Sequence, residues 1–345
     1  MAVYTVIEKH DLAEIAGEYG LGRLTASHGI PHGSVNTNLV LETAKGRHLL
    51  RVEEVKTELD VKRELDLLLF LRKQGFPCPH PVADGKGRYQ RDLGGKCVTV
   101  YRWVDGHIVR PDRMTLAQIE QVGRVLADLH GLGRTYKKGI ENRFGFDAIT
   151  KLWGHVRTAL PSYFRRVART LDDEVEYLSH YLEPKLPKGV IHGDLFDDNL
   201  LFKGDQLVGV LDFEAACRGK FVFDLATAVN ALCFVRDAYQ LRRFEALIGG
   251  YESQRPLSLA EWDAFPNELR SSALRFTVTR LKDFFLHPAA KATRVDKDFR
   301  EFYERLRILR REREGGMEGL LMAMATGYDY RKYQKVKALE KKTST

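Results

Sequence analysis

Asp194, Asn199 and Asp212 are residues whose types and spacing could do chemistry together. Asp194 follows a β-branched run in "VIHGDLFDDNLLF" (residues 190–202), so it sits on a tight loop at the end of a strand, and Asn199 lies five residues on. Asp212 closes "VLDF", on the far arm of a hairpin turned at "KGD" (203–205). A hairpin brings Asn199 and Asp212 close together. One carboxylate and one amide oxygen, completed by water or phosphate oxygens, are the hard ligands Mg²⁺ prefers. Asp194 is then left for a different task. Phosphoryl transfer needs a group that orients and deprotonates an attacking hydroxyl while metal neutralises the phosphate charge. The alternative is an acidic turn of solvated carboxylates. It accounts for Asp197 and Asp198, but not for Asp194 and Asp212, each pressed against apolar strand residues where an unpaired charge is costly.

Positioning these groups takes a strand-rich first part and a helical second part. "HDLAEIAGEYGL" (10–21) carries a helical pattern ending at Gly20 or Gly22. "NTNLVLET" and "RHLLRVEE" are two strands joined at Ala44-Lys45-Gly46, and a Gly, Ser and Asn-rich bend precedes the first. "TELDVKRELDLLLFLRKQGF" is an amphipathic helix with apolar residues at 59, 65, 68, 69 and 71. Strands "RYQRD" and "KCVTVYRWV" follow, then a hinge glycine at 106. From about 115 the pattern is mostly helical, interrupted by the hairpin at 190–212. The expected division is a small strand-rich lobe over 1–104, a larger helical lobe over 105–314 holding the loop, and a basic extension over 315–345.

Bulk properties exclude several classes. No apolar segment is long enough to span a bilayer, and "MAVYTVIEKHDLAE" lacks a signal-peptide core, so a cytoplasmic location without a membrane partner is expected. The net charge is +8, but "RKYQKVKALEKK" (331–342) supplies +5 of it, so the excess is a tail and no nucleic-acid partner is expected. Four scattered cysteines without C-x-x-C spacing are expected to be core residues. The sequence does not fix the oligomeric state.

"HGDLFDDN" and "LDFE" stand where a protein kinase has H-R-D-L-x-x-x-N and D-F-G. With "GVLDFEAAC", "FDLATAVNALCF", "SALRFTVTRLKDF" and "GSVNTN", the chain resembles the aminoglycoside phosphotransferase and choline kinase superfamily over roughly residues 3–310. Within it, the chain looks most like the bacterial homoserine kinases of that fold. The resemblance implies an α+β, two-lobed protein-kinase-like fold, with a small antiparallel sheet in one lobe and a larger helical lobe. It further implies ATP and Mg²⁺ as cofactors, Asp194 as catalytic base, His192 as its loop support, and Asn199 and Asp212 as metal ligands. Asp224 in "FDLA" matches an acid that ties down the catalytic-loop backbone.

For the nucleotide, the family generally places a Lys on the third strand, paired with a helix Glu. The matching positions are Arg51, which keeps the charge, and Glu64; a surface arginine and an exposed helix glutamate are the plain alternatives. Ser34 and Asn36 in the bend stand in for a glycine-rich phosphate loop, and the adenine is expected against backbone at Tyr101 to Trp103, although Trp103 could equally be core. An acceptor with an α-amino acid group needs carboxylate and ammonium partners, and Asn230, Arg275, Arg280 and Asp283 are available, against the alternative of an ordinary amphipathic helix. Glu214 stands where homoserine kinases carry an aromatic after "DF", so it could recognise an ammonium group or signal another acceptor. Other acceptors considered are choline, an aminoglycoside and a methylthioribose-like sugar; a catalytically silent ATP-binding protein is a different class.

Overall fold

The computed structural model describes residues 5–30, 36–286 and 297–311. The described residues divide into two compact units, one holding 5–30, 36–106 and Val208–Glu214, the other holding His107–Leu207, Ala215–Leu286 and 298–311. Their secondary structure is mixed α and β, with an antiparallel sheet in the first and helices dominating the second. The bend residue Ser34 and the extension 315–345 lie outside the described residues.

In the first unit, α1 (Lys9–Glu18) leads into β1 (Leu24–Gly29), β2 (Thr37–Thr43), β3 (Gly46–Glu53), α2 (Glu58–Lys73), β4 (His80–Pro81), β5 (Gln90–Leu93) and β6 (Lys96–Arg102). The sheet runs β1-β2-β3-β6-β4, with β5 also paired to β6. The expected β2–β3 hairpin is present, turned at Gly46 with a φ of 108°. Alternation along β2, β3 and β6 turns Leu39, Leu41, Leu50, Val52, Val98 and Val100 onto Leu12 and Ile15 of α1 and Tyr19 just past its end. Thr57 caps α2 by accepting the Asp60 N–H. The buried face of α2 is Val61, Glu64, Leu65, Leu67, Leu68 and Leu71, a stripe of 3.6-residue period. Leu59, expected on that face, is 55% exposed, and Leu69 is only half-buried, because neither falls on the stripe.

The second unit begins with β7 (His107–Ile108) and α3 (Leu116–Thr135), whose start is a reciprocal capping box of Thr115 and Gln118. Then come α4 (Phe146–Ala159), α5 (Arg165–Tyr181), β8 (Lys188–Ile191), and the hairpin of β9 (Leu200–Lys203) with β10 (Gln206–Val210). β11 (Cys217–Lys220) pairs antiparallel with β8, setting Cys217 opposite Ile191. After it come α6 (Phe221–Leu232), β12 (Phe234–Val235), β13 (Ala238–Tyr239), α7 (Leu241–Glu252), α8 (Leu259–Leu286) and α9 (Phe299–Arg311). Every residue of α6 except Phe223 is buried, so this helix is the unit's central pillar. Buried Arg270 of α8 grips Glu174 of α5 through two hydrogen bonds of 2.7 Å. No helix among the described residues is long and apolar enough to cross a membrane. All four cysteines are free thiols, three of them buried.

Glycines let β8, the strand that delivers the loop, lie flat against its neighbours. A Cβ on Gly133 of α3 would stand 2.4 Å from the Val190 carbonyl oxygen, and one on Gly189 would stand 2.6 Å from the Phe221 ring. Gly133→Ala is therefore expected to lower stability by about 1–3 kcal/mol, the usual cost of overpacking. The measure is the urea midpoint, with Gly131→Ala as control, since nothing lies within 4 Å of a Cβ there.

Candidate functional site

In the second unit the site is the loop that follows β8. His192, Gly193 and Asp194 leave the strand through a left-handed turn at Gly193, φ 77°, where a Cβ would meet the Ala215 carbonyl oxygen at 2.8 Å. Glycine is required there on both counts. The Asp224 carboxylate of α6, wholly buried, accepts the backbone N–H groups of His192 (2.8 Å) and Gly193 (2.7 Å). On the other side of the same residue, Arg275 Nη1 of α8 donates to the Gly193 carbonyl. The Gly193 backbone is thus gripped from both faces.

The residues within the loop hold one another. Asp194 N–H donates to His192 Nδ1 at 3.2 Å, which leaves the other ring nitrogen to carry the proton in neutral His192. Asn199 Nδ2 donates to the Asp194 carbonyl at 2.8 Å, and this fixes the amide so that its oxygen faces away from that carbonyl. His192 is fully buried, Asp194 is half-buried and Asp198 is exposed. The arrangement leaves one partly solvated carboxylate on a backbone that cannot relax, as a general base needs.

A residue that sequence reasoning missed stands behind this loop. His130 of α3 reaches Asp224 through Nε2 (3.1 Å) and the Tyr251 hydroxyl through Nδ1 (2.6 Å). Burial pulls the His130 imidazole below its ordinary value, so it is neutral at pH 7. A carboxylate only accepts, so His130 donates from Nε2, and Tyr251 must donate to Nδ1. Arg255 in turn donates to the Tyr251 oxygen (3.0 Å) and to Glu261 (2.7 Å). Burial would push the Asp224 carboxyl up; the hydrogen bond from His130, the favourable electrostatics of the His130 and His192 imidazoles and the Gly193 N–H outweigh it and hold the group below the usual range.

The first unit gathers a second group of charges around Lys56. Its ammonium lies 2.5 Å from Glu64, 3.1 Å from Glu214 and 3.5 Å from Glu53. Arg51 stands further from the same acids, 3.7 Å from Glu64 and 3.9 Å from Glu214, with its Nε on Asn38. Glu64 is buried and ion-paired, so it is not an exposed helix glutamate, and Arg51 is not a surface arginine. The partner closest to Glu64 is Lys56, in the turn between β3 and α2, where sequence alone offers only a lysine in a polar run. Burial pulls Lys56 down, but Glu64, Glu214 and Glu53 outweigh it and hold the ammonium above the ordinary lysine value. Burial pushes the Glu53 carboxyl up to about 7; Arg51 and Lys56 oppose the shift, and Glu64 and Glu214 add to it.

Asn36 joins this group, donating to Glu214 and accepting the Glu54 N–H at 3.2 Å. Asp212 adopts a left-handed φ of 59°, a conformation that non-glycine residues rarely take outside functional sites, and its carboxylate accepts the Glu214 N–H at 3.3 Å. Tyr101 is buried in the sheet, with Arg51 5.9 Å above its ring, whereas Trp103 is half-buried beneath Arg47 at 5.1 Å. Glu214 therefore stands beside Asn36, Arg51 and Glu64, the residues expected to serve the nucleotide.

The remaining acceptor candidates are scattered. Asn230 is fully buried, donating to the Leu269 carbonyl (2.9 Å) and accepting from Tyr239 (2.5 Å). Arg280 is held by Glu301 and the Asp298 carbonyl, both at 2.8 Å. Asp283 lies 3.1 Å from Lys282 near the end of α8. Only Arg275 touches the loop that carries Asp194.

Comparison with known proteins converges on one family. The phosphotransferase enzyme family matches residues 28–258. A homoserine kinase of Brucella canis is 36% identical over 324 residues, covering 93% of this chain and 98% of that protein. One from Brucella melitensis is 35% identical with the same coverage. Among solved structures, an amicoumacin kinase in complex with AMP-PNP and Ca²⁺ superposes with a TM-score of 0.67 at 14% identity, over 90% of this chain and 95% of that one. A spectinomycin phosphotransferase with ADP and spectinomycin gives 0.63 at 13%, over 93% and 99%. The structural likenesses carry the kinase-like α+β fold expected from the sequence, and the sequence relatives carry the family. The chain belongs to the phosphotransferase enzyme family, on the branch that holds the homoserine kinases, and is an enzyme of phosphoryl transfer to a hydroxyl group.

Proposed function

We propose that this enzyme transfers the γ-phosphoryl group of ATP to the hydroxyl of L-homoserine, the step that commits homoserine to threonine, with Asp194 as general base. One observation carries the reading: the loop from His192 to Asn199 is held in a single shape by Asp224 and Arg275, with the Asp194 carboxylate left partly open to solvent. The acceptor rests on relatives named homoserine kinases that align over nearly the whole chain.

Asp194 would accept the hydroxyl proton as the oxygen attacks phosphorus. His192 fixes the backbone of the base by accepting the Asp194 N–H. The donor set fits a hard divalent cation such as Mg²⁺. Asn199 offers an amide oxygen whose orientation is set by its Nδ2 bond, and Asp212 offers a carboxylate on a strained backbone that has few other uses. Those two residues would hold the ion, which neutralises phosphate charge when bound. Lys56, backed by Glu64, and Arg51 are the cations for the phosphates, while Asn36 steadies the bend before β2 and the backbone from Tyr101 to Trp103 would take the adenine. A cytoplasmic site of action fits a reaction that consumes ATP.

Two measurements test the reading. Purified protein with ATP and Mg²⁺, offered homoserine, choline and an aminoglycoside in parallel, is expected to phosphorylate homoserine with the highest kcat/KM. Transfer to another acceptor and none to homoserine would remove the acceptor while keeping the kinase. Lys56→Met should raise the KM for ATP more than Arg51→Met does, because Lys56 makes the shorter ion pair with Glu64. The reverse order would assign the phosphates to Arg51.

A further inference from the structure

We infer that the Arg275 guanidinium receives a carboxylate of the phosphoryl acceptor, so that the second unit selects a small carboxylic acid over simple amines and aminated sugars. The inference deepens the reading of Asp194 as base and rests on it.

Arg275 differs from the other buried arginines nearby. Arg270, five residues earlier on α8, is matched by Glu174; Arg255 is matched by Glu261 and Arg280 by Glu301. Arg275 is 4% exposed and has no carboxylate within ion-pair distance among the described residues. One N–H binds the Gly193 carbonyl, and Nε is buried with no hydrogen-bond partner. The group lies over the faces of Phe144 (4.4 Å) and Phe276 (4.6 Å). Burial pulls the guanidinium down and the charges of Asp194, Cys217 and Asp224 only partly offset this, but an arginine stays protonated in any protein. A buried, permanent and unmatched cation beside the catalytic loop calls for an anion.

The surroundings argue against the competing acceptors. Phe196, two residues after Asp194, packs on Phe276 (4.9 Å) and Phe302 (5.6 Å). Guanidiniums occupy the ring faces that a quaternary ammonium would need: Arg275 on Phe276, with Arg280 (4.7 Å) and Arg305 (4.4 Å) on Phe302. Arg305 also has Nε and Nη1 without partners. Against these three cations the ion pairs of the described residues set a single carboxylate, Glu301. A choline headgroup or a polycationic sugar would meet like charge, whereas a carboxylate placed on Arg275 leaves the rest of a short acceptor to carry its hydroxyl toward Asp194.

The test compares homoserine with 3-aminopropan-1-ol, the same amino alcohol without its carboxylate, in the wild-type enzyme and in Arg275→Met. Wild type is expected to favour homoserine in kcat/KM by about 10- to 100-fold, the range for a hydrogen bond to a charged group. In the variant the preference should fall to about unity. A purely loop-holding Arg275 would slow both acceptors by one factor and preserve the ratio, which overturns the inference. Should Arg275→Met fail to fold, inhibition of the wild-type enzyme decides: 2-aminobutyrate should compete with the acceptor at least about tenfold better than propan-1-amine, and equal potency overturns the inference. Absence of homoserine phosphorylation by wild type is a failure of the acceptor assignment; a preserved ratio, or equal inhibition, is a failure of Arg275 alone.

Discussion

The buried carboxylate of Asp224 is the interaction on which the site depends. It holds the His192 and Gly193 N–H groups in a place without water, where leaving either of them unpaired would cost about 1–3 kcal/mol. Because Arg275 takes the Gly193 carbonyl, the backbone immediately before Asp194 has no alternative partner to relax toward. His130 adds a proton donor to the backbone N–H groups that keep Asp224 ionised, and the Arg255–Tyr251–His130 chain fixes which way each proton points. A deeply buried anion is thereby held by neutral and cationic donors on α3, α7 and the turn after α7. The exposed result of all this burial is one carboxylate with a defined direction.

The first unit solves a related problem differently. Two cations, Arg51 and Lys56, face three carboxylates, Glu53, Glu64 and Glu214, within a few ångströms. Full ionisation would leave net negative charge in a poorly solvated place, and the raised Glu53 value, about 7, is the molecule's response. With Arg51 and Lys56 proposed to receive the phosphates, the acids there would hold two cations ready and compete with the ligand for them.

Legibility in the sequence followed the range of each interaction. The β2–β3 hairpin, the tight loop after β8 and the β9–β10 hairpin are local, and they read correctly from residue types. The identity of the Glu64 partner did not, because Lys56 sits past the end of β3 and its meeting with Glu214 spans 158 residues of chain. His130 belongs to no motif in the sequence, and its partners lie 94 and 121 residues away. Leu59 was assigned to the core from apolarity, yet the stripe starting at Val61 passes it by. The 3.6-residue spacing of α8 left Arg275 and Arg280 open to an exposed reading, whereas both are buried by α4, α6 and α9 around them.

The held loop is proposed to present Asp194 as the base. The direct measurement is kcat for Asp194→Asn beside nucleotide affinity by calorimetry, both with Mg²⁺ present. The expected result is a loss of about 10²- to 10⁴-fold in kcat, the usual contribution of a positioned base, with nucleotide affinity essentially unchanged. Turnover at the wild-type rate would contradict it.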